Sequence, residues 1–250
     1  MFLFMIPNTI LNILLMAALI PPIILMVMVY RQDKIEKEPV GLIVRLILFG
    51  CLSTIPALIL EILAELILSA VLRNTASMLY LILENFVGVA VIEEGCKYFF
   101  LHQQTWKNRE FNYRFDGIVY AVSVSLGFAA LENVQYVFSY GLGTAVTRAL
   151  LAIPLHCICG IFMGHYYGEA KFAEVKGLQS SKSRNLILAI LVPTLIHGFY
   201  DFALSTESGL ISIIFLVYVI VLDVIAFRSI QKFSNEDIGF YQSRGFDYWR

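Results

Sequence analysis

The sequence predicts an all-α protein, a polytopic transmembrane helix bundle of about seven spans. Hydrophobic residues make up 59% of the 250-residue chain and charged residues 15%, against about 45–50% and about 25% in soluble globular domains. The mean hydropathy is +0.76. Apolar runs of about 20 residues, the length of a helix that crosses a bilayer, recur along the whole chain.

The apolar runs define the predicted spans. They lie near residues 8–30, 40–60, 77–101, 116–140, 144–168, 185–205 and 209–230. We interpret the first run as a retained span, because it is too long for a signal peptide and no basic segment precedes it. The second apolar run continues beyond its predicted span. Its remaining residues, 61–74, are predicted to lie at the membrane surface as an amphipathic helix with Glu61 and Glu65 on one face. A polar tail follows at 231–250, no linker divides the chain, and residues 1–250 are predicted to form one membrane-embedded domain.

Basic residues favour one side of the predicted membrane. They cluster in the connections after the first, third and fifth spans and in the C-terminal segment: Arg31, Lys34, Lys37; Lys107, Arg109, Arg114; Lys171, Lys176, Lys182, Arg184; Arg228, Lys232, Arg244, Arg250. The alternate connections hold only Arg73 and Arg148, and the first seven residues hold none. Because positively charged connections stay in the cytoplasm, we expect a multi-pass cell-membrane protein with its N-terminus outside and its C-terminus cytoplasmic.

The remaining composition excludes other classes of protein. A formal net charge of −1 gives no indication of a nucleic-acid partner, so the lipid bilayer is the expected surrounding. The four cysteines lie in apolar runs, where we expect them to be small buried residues rather than disulfides or metal ligands: Cys51, Cys96, Cys157 and Cys159. Three glycines at four-residue steps in the fifth span, Gly160, Gly164 and Gly168, predict close helix packing.

Ionisable residues within the predicted spans indicate a functional site. A charged residue at the bilayer midplane costs about 2.5–3.5 kcal/mol on insertion scales, so such residues must face one another or a watery cavity. The stretch VIEEGCKYFF holds Glu93, Glu94 and Lys97, at spacings that let the lysine pair with either carboxylate. Three other spans add further polar or aromatic side chains, with four-residue steps at Phe128–Glu132 and His197–Asp201: Phe128, Glu132, Asn133, His156, His197 and Asp201.

Two adjacent carboxylates can supply hydrolytic chemistry. In a medium of low dielectric two neighbouring carboxylates do not both ionise easily, so one serves as base and the other as acid. Glu93 or Glu94 is therefore the candidate base that activates water, and we favour Glu93 because Lys97 follows it by four residues. His197, held by Asp201 one turn later, is the candidate oxyanion donor or acid. The rest of the set completes the predicted cavity: His156, Glu132, Asn133 and Phe128.

Other classes of intramembrane protease leave motifs that this sequence lacks. There is no HExxH, which site-2-type metalloproteases need on a helix. There is no serine in a GxSG setting, as in rhomboid-type proteases. The pair Tyr200-Asp201 matches one half of a presenilin-type site, but no GxGD supplies the second aspartate.

The ordered set of polar motifs resembles the PrsW family, relatives of the CAAX-protease and bacteriocin-processing (CPBP) glutamic intramembrane proteases. The resemblance covers roughly residues 20–205 and depends on EExxK at Glu93–Lys97, FxxxEN at Phe128–Asn133, His156 with Gly160, and HxxxD from His197 to Asp201. It implies an intramembrane endopeptidase of a prokaryotic plasma membrane. The implied substrate is a membrane-anchored anti-sigma factor, which receives its first, site-1-type cut on the extracytoplasmic side.

The residues themselves favour glutamate-activated water without a cofactor. The family is sometimes labelled a metalloprotease, but no helix of this chain carries a closely spaced pair of metal ligands. We therefore expect no cofactor, and a divalent metal held by Glu93, Glu94, His156 and His197 is an alternative. A proton- or cation-coupled transporter is another alternative, since transporters use such residues as relays, although no inverted repeat is visible. A catalytically silent scaffold is the third.

Overall fold

A computed structural model of the chain describes residues 8–241, and the regular elements of that part are all helical. They are α1 (Asn8–Gln32), α2 (Val40–Leu72), α3 (Met78–Leu83), a π-helical segment (Glu84–Ala90), α4 (Val91–Thr105), α5 (Asp116–Tyr140), α6 (Leu142–Leu150), α7 (Ala152–Val175), α8 (Gln179–Ser205) and α9 (Gly209–Asn235). The predicted all-α fold is confirmed. Residues 1–7 and 242–250, which include the end of the predicted polar tail, lie outside the described residues.

Six helical stretches of the described part are long and apolar enough to cross a membrane. They are α1, α2, α5, the stretch formed by α6 and α7, α8, and α9. The continuous helix of α3, the π-helical segment and α4 is not among them, because charged side chains interrupt its apolar run. This helix accounts for the difference from the predicted count of about seven spans.

Helix α2 runs unbroken from Val40 to Leu72, so the predicted surface helix at residues 61–74 is wrong. The segment EILAELILSAVL contains no residue that breaks a helix. The helix ends only where Arg73 adopts a left-handed conformation, with φ +52°. At about 1.5 Å per residue α2 is roughly 50 Å long, longer than the hydrocarbon core of about 30 Å. A helix of that length tilts or projects beyond the core. Because the helix is unbroken, Glu61 stays within the bundle.

Two irregularities interrupt the helices that carry the polar motifs. In the segment Glu84–Ala90 the helix is π-helical, a geometry that is rare and frequent at functional sites. Because π-helical hydrogen bonds join residues five apart, each turn holds more residues and the chain advances less along the axis. The second irregularity is Leu151, which separates α6 from α7. The fifth predicted span therefore corresponds to two helices.

Helix α5 forms the centre of the bundle. Its residues 116–129 are all buried, and it packs against α1, α2 and α7. The glycines of α7 allow this packing, since a Cβ atom at Gly164 would lie 2.4 Å from the carbonyl oxygen of Gly117 and one at Gly160 would lie 2.9 Å from Cα of Val122. A Cβ atom at Gly168 would meet the backbone in the same way. The predicted close packing at these glycines is confirmed.

Substitution of Gly164 by Ala is expected to destabilise the protein by about 1–3 kcal/mol, because the added methyl group meets backbone atoms that cannot rotate away. Gly143→Ala in α6 is the matched control, since nothing lies within 4 Å of its added Cβ atom. The control is expected to be neutral or slightly stabilising. Thermal unfolding midpoints in one detergent measure both variants. Equal midpoints would contradict the close approach of α5 and α7.

The connection between α1 and α2 buries two carboxyl groups. Glu38 accepts a hydrogen bond from the Tyr120 hydroxyl at 2.6 Å, and its own carbonyl oxygen accepts one from the Tyr30 hydroxyl at 2.9 Å. Burial raises the pKa of Glu38 to about 7 and the pKa of Asp33 to about 6. Both carboxyl groups therefore hold a proton in the folded protein at pH values where an unfolded chain has released it.

The stability of the protein is expected to fall as the pH rises through this range. Between about pH 4.5 and pH 7 the folded state binds more protons than the unfolded state at Glu38, so the free energy of unfolding decreases with pH. Glu38→Gln removes this contribution and is expected to flatten the profile. Glu36→Gln is the control, because Glu36 is exposed in the same connection. Thermal unfolding midpoints measured from pH 4.5 to pH 8 check this prediction. Parallel pH profiles of the wild-type, Glu38→Gln and Glu36→Gln proteins would contradict it.

The segment after α9 closes one end of the bundle. Phe240 is fully buried in an aromatic cluster with Trp106, Phe111 and Tyr167. Its backbone N–H donates to the carbonyl oxygen of Asn112 at 2.7 Å. Residues 236–240 are thereby attached to the connection between α4 and α5.

Candidate active site

Helix α4 carries three buried ionisable residues on one face. Nζ of Lys97 lies 2.9 Å from Oε2 of Glu93 and 2.8 Å from Oε1 of Glu94. All three side chains are buried, Lys97 completely. The ammonium group also lies 4.1 Å from the centre of the Phe128 ring, a favourable cation–π position. Spacings of three and four residues thus produce the pairing that the sequence predicts, with both carboxylates paired at once.

Two histidines from other helices complete this cluster. Nδ1 of His156, in α7, lies 3.2 Å from Nζ of Lys97. Nδ1 of His197, in α8, lies 2.9 Å from Oε1 of Glu94, and its Nε2 lies 3.1 Å from Oδ2 of Asp201. The imidazole rings are perpendicular, with centroids 5.3 Å apart. The structure therefore brings the predicted residues of α4, α7 and α8 together in space.

A second layer of polar contacts surrounds His156. Its Nε2 lies 2.9 Å from Oε2 of Glu132, and Nη2 of Arg148 lies 2.9 Å from the same oxygen. Arg148 also covers the Tyr136 ring at 4.1 Å and donates from Nε to Oδ1 of Asn133 at 3.0 Å. Glu132 therefore holds the imidazole of His156 from the side opposite to Lys97.

Asn133 is oriented away from the cluster, which differs from the prediction that it completes the cavity. Its side chain is fully buried, and Nδ2 donates to the carbonyl oxygen of Ala18 in α1 at 2.8 Å. Residues that are neighbours on a helix point about 100° apart, so Glu132 and Asn133 cannot both face one cavity. Asn133 instead joins α1, α5 and Arg148.

A cavity of about 670 Å³ lies beside the cluster. That volume is in the range of pockets that enclose small ligands and has room for a few residues of extended peptide. Its wall includes six residues of the predicted set: Glu93, Phe128, Glu132, His156, His197 and Asp201. Glu94 and Lys97 lie behind this wall rather than on it. Of the two adjacent glutamates, Glu93 is the one that reaches the cavity.

The cavity wall also contains ionisable residues that the sequence reasoning missed. Glu61 of α2 and Arg148 of α6 both line it. Arg148 is the only lysine or arginine between residues 115 and 170, which was a usable signal for a role inside the bundle. Glu61 gave no such signal, because its position depends on the unbroken course of α2.

The cluster has the composition of a metal site. Glu93, Glu94, His156 and His197 each offer a ligand atom, and these atoms all lie within 4.8 Å of one another. Oε2 of Glu94 is buried without a hydrogen-bond partner among the described residues. Carboxylate oxygens and imidazole nitrogens are ligands that Zn²⁺ and other divalent transition metals accept. The residues present therefore fit a divalent metal ion.

Comparison with known proteins identifies the family. Residues 38–227 match the family described as PrsW family intramembrane metalloprotease. The chain belongs to the PrsW family. Its resemblance to this family in the sequence motifs is confirmed, and so is the class of enzyme, a peptidase.

Curated members of the PrsW family match most of the chain. "Protease PrsW" of Oceanobacillus iheyensis is 33% identical over 224 residues, which cover 90% of this chain and 97% of the relative. The proteins of the same name from Geobacillus kaustophilus and Bacillus subtilis are 35% and 33% identical, over 78% and 77% of this chain and 81% and 83% of each relative. No solved structure matches the chain.

The expectation that the PrsW-family chain needs no cofactor is wrong. The family is described as a family of metalloproteases, and the buried cluster has the ligands of a metal site. That expectation was based on the absence of a closely spaced pair of metal ligands on one helix, apart from the adjacent glutamates. The ligands instead come from α4, α7 and α8, which is a convergence that helical spacing alone does not reveal.

Proposed function

We propose that this PrsW-family chain hydrolyses a peptide bond of a membrane-anchored protein within the bilayer. One observation supports this more than any other: Glu93, His156 and His197, from three helices, meet at the wall of one large cavity. Polar residues at membrane depth need partners or water, and peptide hydrolysis needs water, a base and groups that stabilise an oxyanion. The cavity brings all of these together.

We propose Glu93 as the base that accepts a proton from the attacking water. Its Oε2 is held by Lys97 at 2.9 Å. Its Oε1 makes no hydrogen bond to the rest of residues 8–241 and belongs to a side chain at the cavity wall. A general base must lie within hydrogen-bond reach of the proton that it takes. Lys97 orients the carboxylate and leaves one oxygen free for this task.

His156, His197 and Glu94 are proposed to bind the metal ion, beside the base Glu93. A divalent ion bound by these residues would supply a Lewis acid next to the scissile carbonyl group. Asp201 and Glu132 hold the outer nitrogens of His197 and His156, as carboxylates commonly do for metal-binding histidines. These contacts fix which ring nitrogen faces the cluster.

We further propose seven spans, with the helix Met78–Thr105 as the third and with the N-terminus outside. The distribution of basic residues supports this orientation. His197 then lies eight residues, or about 12 Å, from the outer end of α8. An extracytoplasmic cut near the membrane surface is consistent with that depth. The proposed substrate is a single-span anti-sigma factor of the bacterial plasma membrane, as the family resemblance suggests.

The proposed function is tested by reconstituting the purified chain in liposomes with a single-span protein substrate. We expect cleavage of the substrate, loss of cleavage after a membrane-permeant chelator, and recovery on addition of a divalent metal ion. Cleavage that persists after the metal has been removed, as shown by metal analysis, would contradict the metal-dependent form. A loaded chain that cleaves no single-span substrate but moves ions would favour the transporter alternative, and one that does neither would favour a scaffold.

A further inference from the structure

Carboxylates dominate the charged side chains of the active-site cavity. Four of them line it, each from a different helix, whereas only one arginine and no lysine does. The carboxylates are Glu61 of α2, Glu93 of α4, Glu132 of α5 and Asp201 of α8, and the arginine is Arg148 of α6.

Three of these four carboxylates have partners close by. Glu93 pairs with Lys97, Glu132 with Arg148 and His156, and Asp201 with His197. Glu61 differs from them, because it makes no hydrogen bond and no ion pair with any residue in the described part of the chain, 8–241.

A carboxylate within the membrane is costly unless a cation or water accompanies it. Glu61 lies on the cavity wall with Thr54 and Leu58 of the same helix, so its partner must come from the contents of the cavity. Arg148 does not supply it, because its guanidinium group is already held by Glu132 and stacked on Tyr136. The carboxylate of Glu61 is therefore suited to bind a cationic group of a bound molecule.

We propose that Glu61 selects substrates by binding a lysine or arginine side chain of the peptide close to the scissile bond. This inference rests on the proposed function, because the bound molecule is taken to be a peptide. An ammonium or guanidinium group would form a charge-assisted hydrogen bond with the carboxylate. Glu61 is thus a specificity residue on α2, facing the groups of α4 and α8 that act on the peptide bond.

The test compares single-span substrates that differ at one position. Lysine, glutamine or glutamate is placed in turn at each of three positions on either side of the cleaved bond. For the wild-type, metal-loaded protein we expect kcat/KM to favour lysine over glutamine by about 10- to 100-fold at one position, the worth of one charged hydrogen bond. Glu61→Gln is expected to bring this ratio close to one, and Glu61→Lys to favour glutamate.

Glu65→Gln is the matched control, because Glu65 lies one turn further along α2, is exposed and does not line the cavity. It is expected to keep the wild-type ratio. A lysine-to-glutamine ratio that Glu61→Gln leaves unchanged would overturn the proposal, and so would a wild-type protein with no preference at any position.

A binding measurement separates this proposal from the proposed function. Fluorescent peptides of one sequence, with either lysine or norleucine placed at each position in turn, are titrated against the metal-loaded protein. Tighter binding of the lysine peptide, lost in Glu61→Gln, would support the role of Glu61 even if no substrate were cleaved. Equal binding of both peptides would overturn it, whether or not cleavage occurs.

Discussion

Substitution of Glu93 by Gln is expected to lower the rate of peptide cleavage by about 100- to 10,000-fold, the contribution of a general base. The amide cannot accept a proton from water, although it occupies nearly the same volume at the cavity wall. Cleavage of a single-span substrate in liposomes measures the effect. The metal content of the variant is determined in parallel, because Glu93 lies beside the proposed ligands, and the comparison is made at full metal loading.

The control for this variant is Glu84→Gln. Glu84 is an acidic residue in the same continuous helix, but its carboxylate lies near the Tyr80 hydroxyl, at 3.4 Å, and does not line the cavity. It is expected to keep nearly full activity. A loaded Glu93→Gln protein that cleaves as fast as Glu84→Gln would exclude Glu93 as the base.

Substitution of Lys97 by Met is expected to destabilise the metal-free protein by about 3–5 kcal/mol. The change leaves the carboxylates of Glu93 and Glu94 in a buried site without their shared cation, and breaking a buried ion pair from one side costs about that much. Methionine fills a similar volume, so lost packing contributes little. Thermal or denaturant unfolding in detergent, with chelator present, measures the difference.

Lys182→Met is the matched control for Lys97→Met. Lys182 pairs with Glu174 at 2.5 Å near the surface, where both side chains retain contact with solvent. Ion pairs of this kind contribute about 0–1 kcal/mol, so the control is expected to remain close to the wild-type protein. If both variants lost the same small amount of stability, Lys97 would not be neutralising the two glutamates.

The helical fold and most of the candidate site were predictable because two strong physical signals mark them. Apolar runs of bilayer length locate the helices. Charged residues inside such runs, above all Glu93, Glu94 and Lys97, must find partners within the bundle. Their spacing on one helix also predicts the pairing seen in the structure. The same reasoning predicted that His156 and His197 belong to the site, because a polar imidazole is unfavourable in contact with lipid.

Other features could not be predicted because they depend on the three-dimensional course of the chain. The position of Glu61 requires that α2 continue beyond the length of a span, and local sequence does not reveal tilt. The π-helical segment Glu84–Ala90 leaves no clear mark in the sequence. Counted as regular helix from the outer surface, Glu93 would lie deeper than His197. The π-helical segment upstream shortens the rise, and the helix is regular at Gly95.

The candidate metal site was predicted only as an alternative, for a similar reason. Ligand motifs are recognised in sequences when two ligands share a helix at a fixed spacing, as in HExxH. Here only the adjacent glutamates share a helix, and the histidines belong to α7 and α8. Their convergence depends on the close approach of α5 and α7 at Gly160 and Gly164, which is a property of packing rather than of any one segment.

The attachment of residues 236–240 to the connection between α4 and α5 constrains the order of biogenesis. The backbone bond from Phe240 to Asn112 and the burial of its ring unite parts of the chain that are synthesised about 130 residues apart. During translation the earlier helices enter the bilayer while the place of Phe240 is still empty. The aromatic cluster around Trp106 and Phe111 therefore reaches its final packing only after α9 has been synthesised.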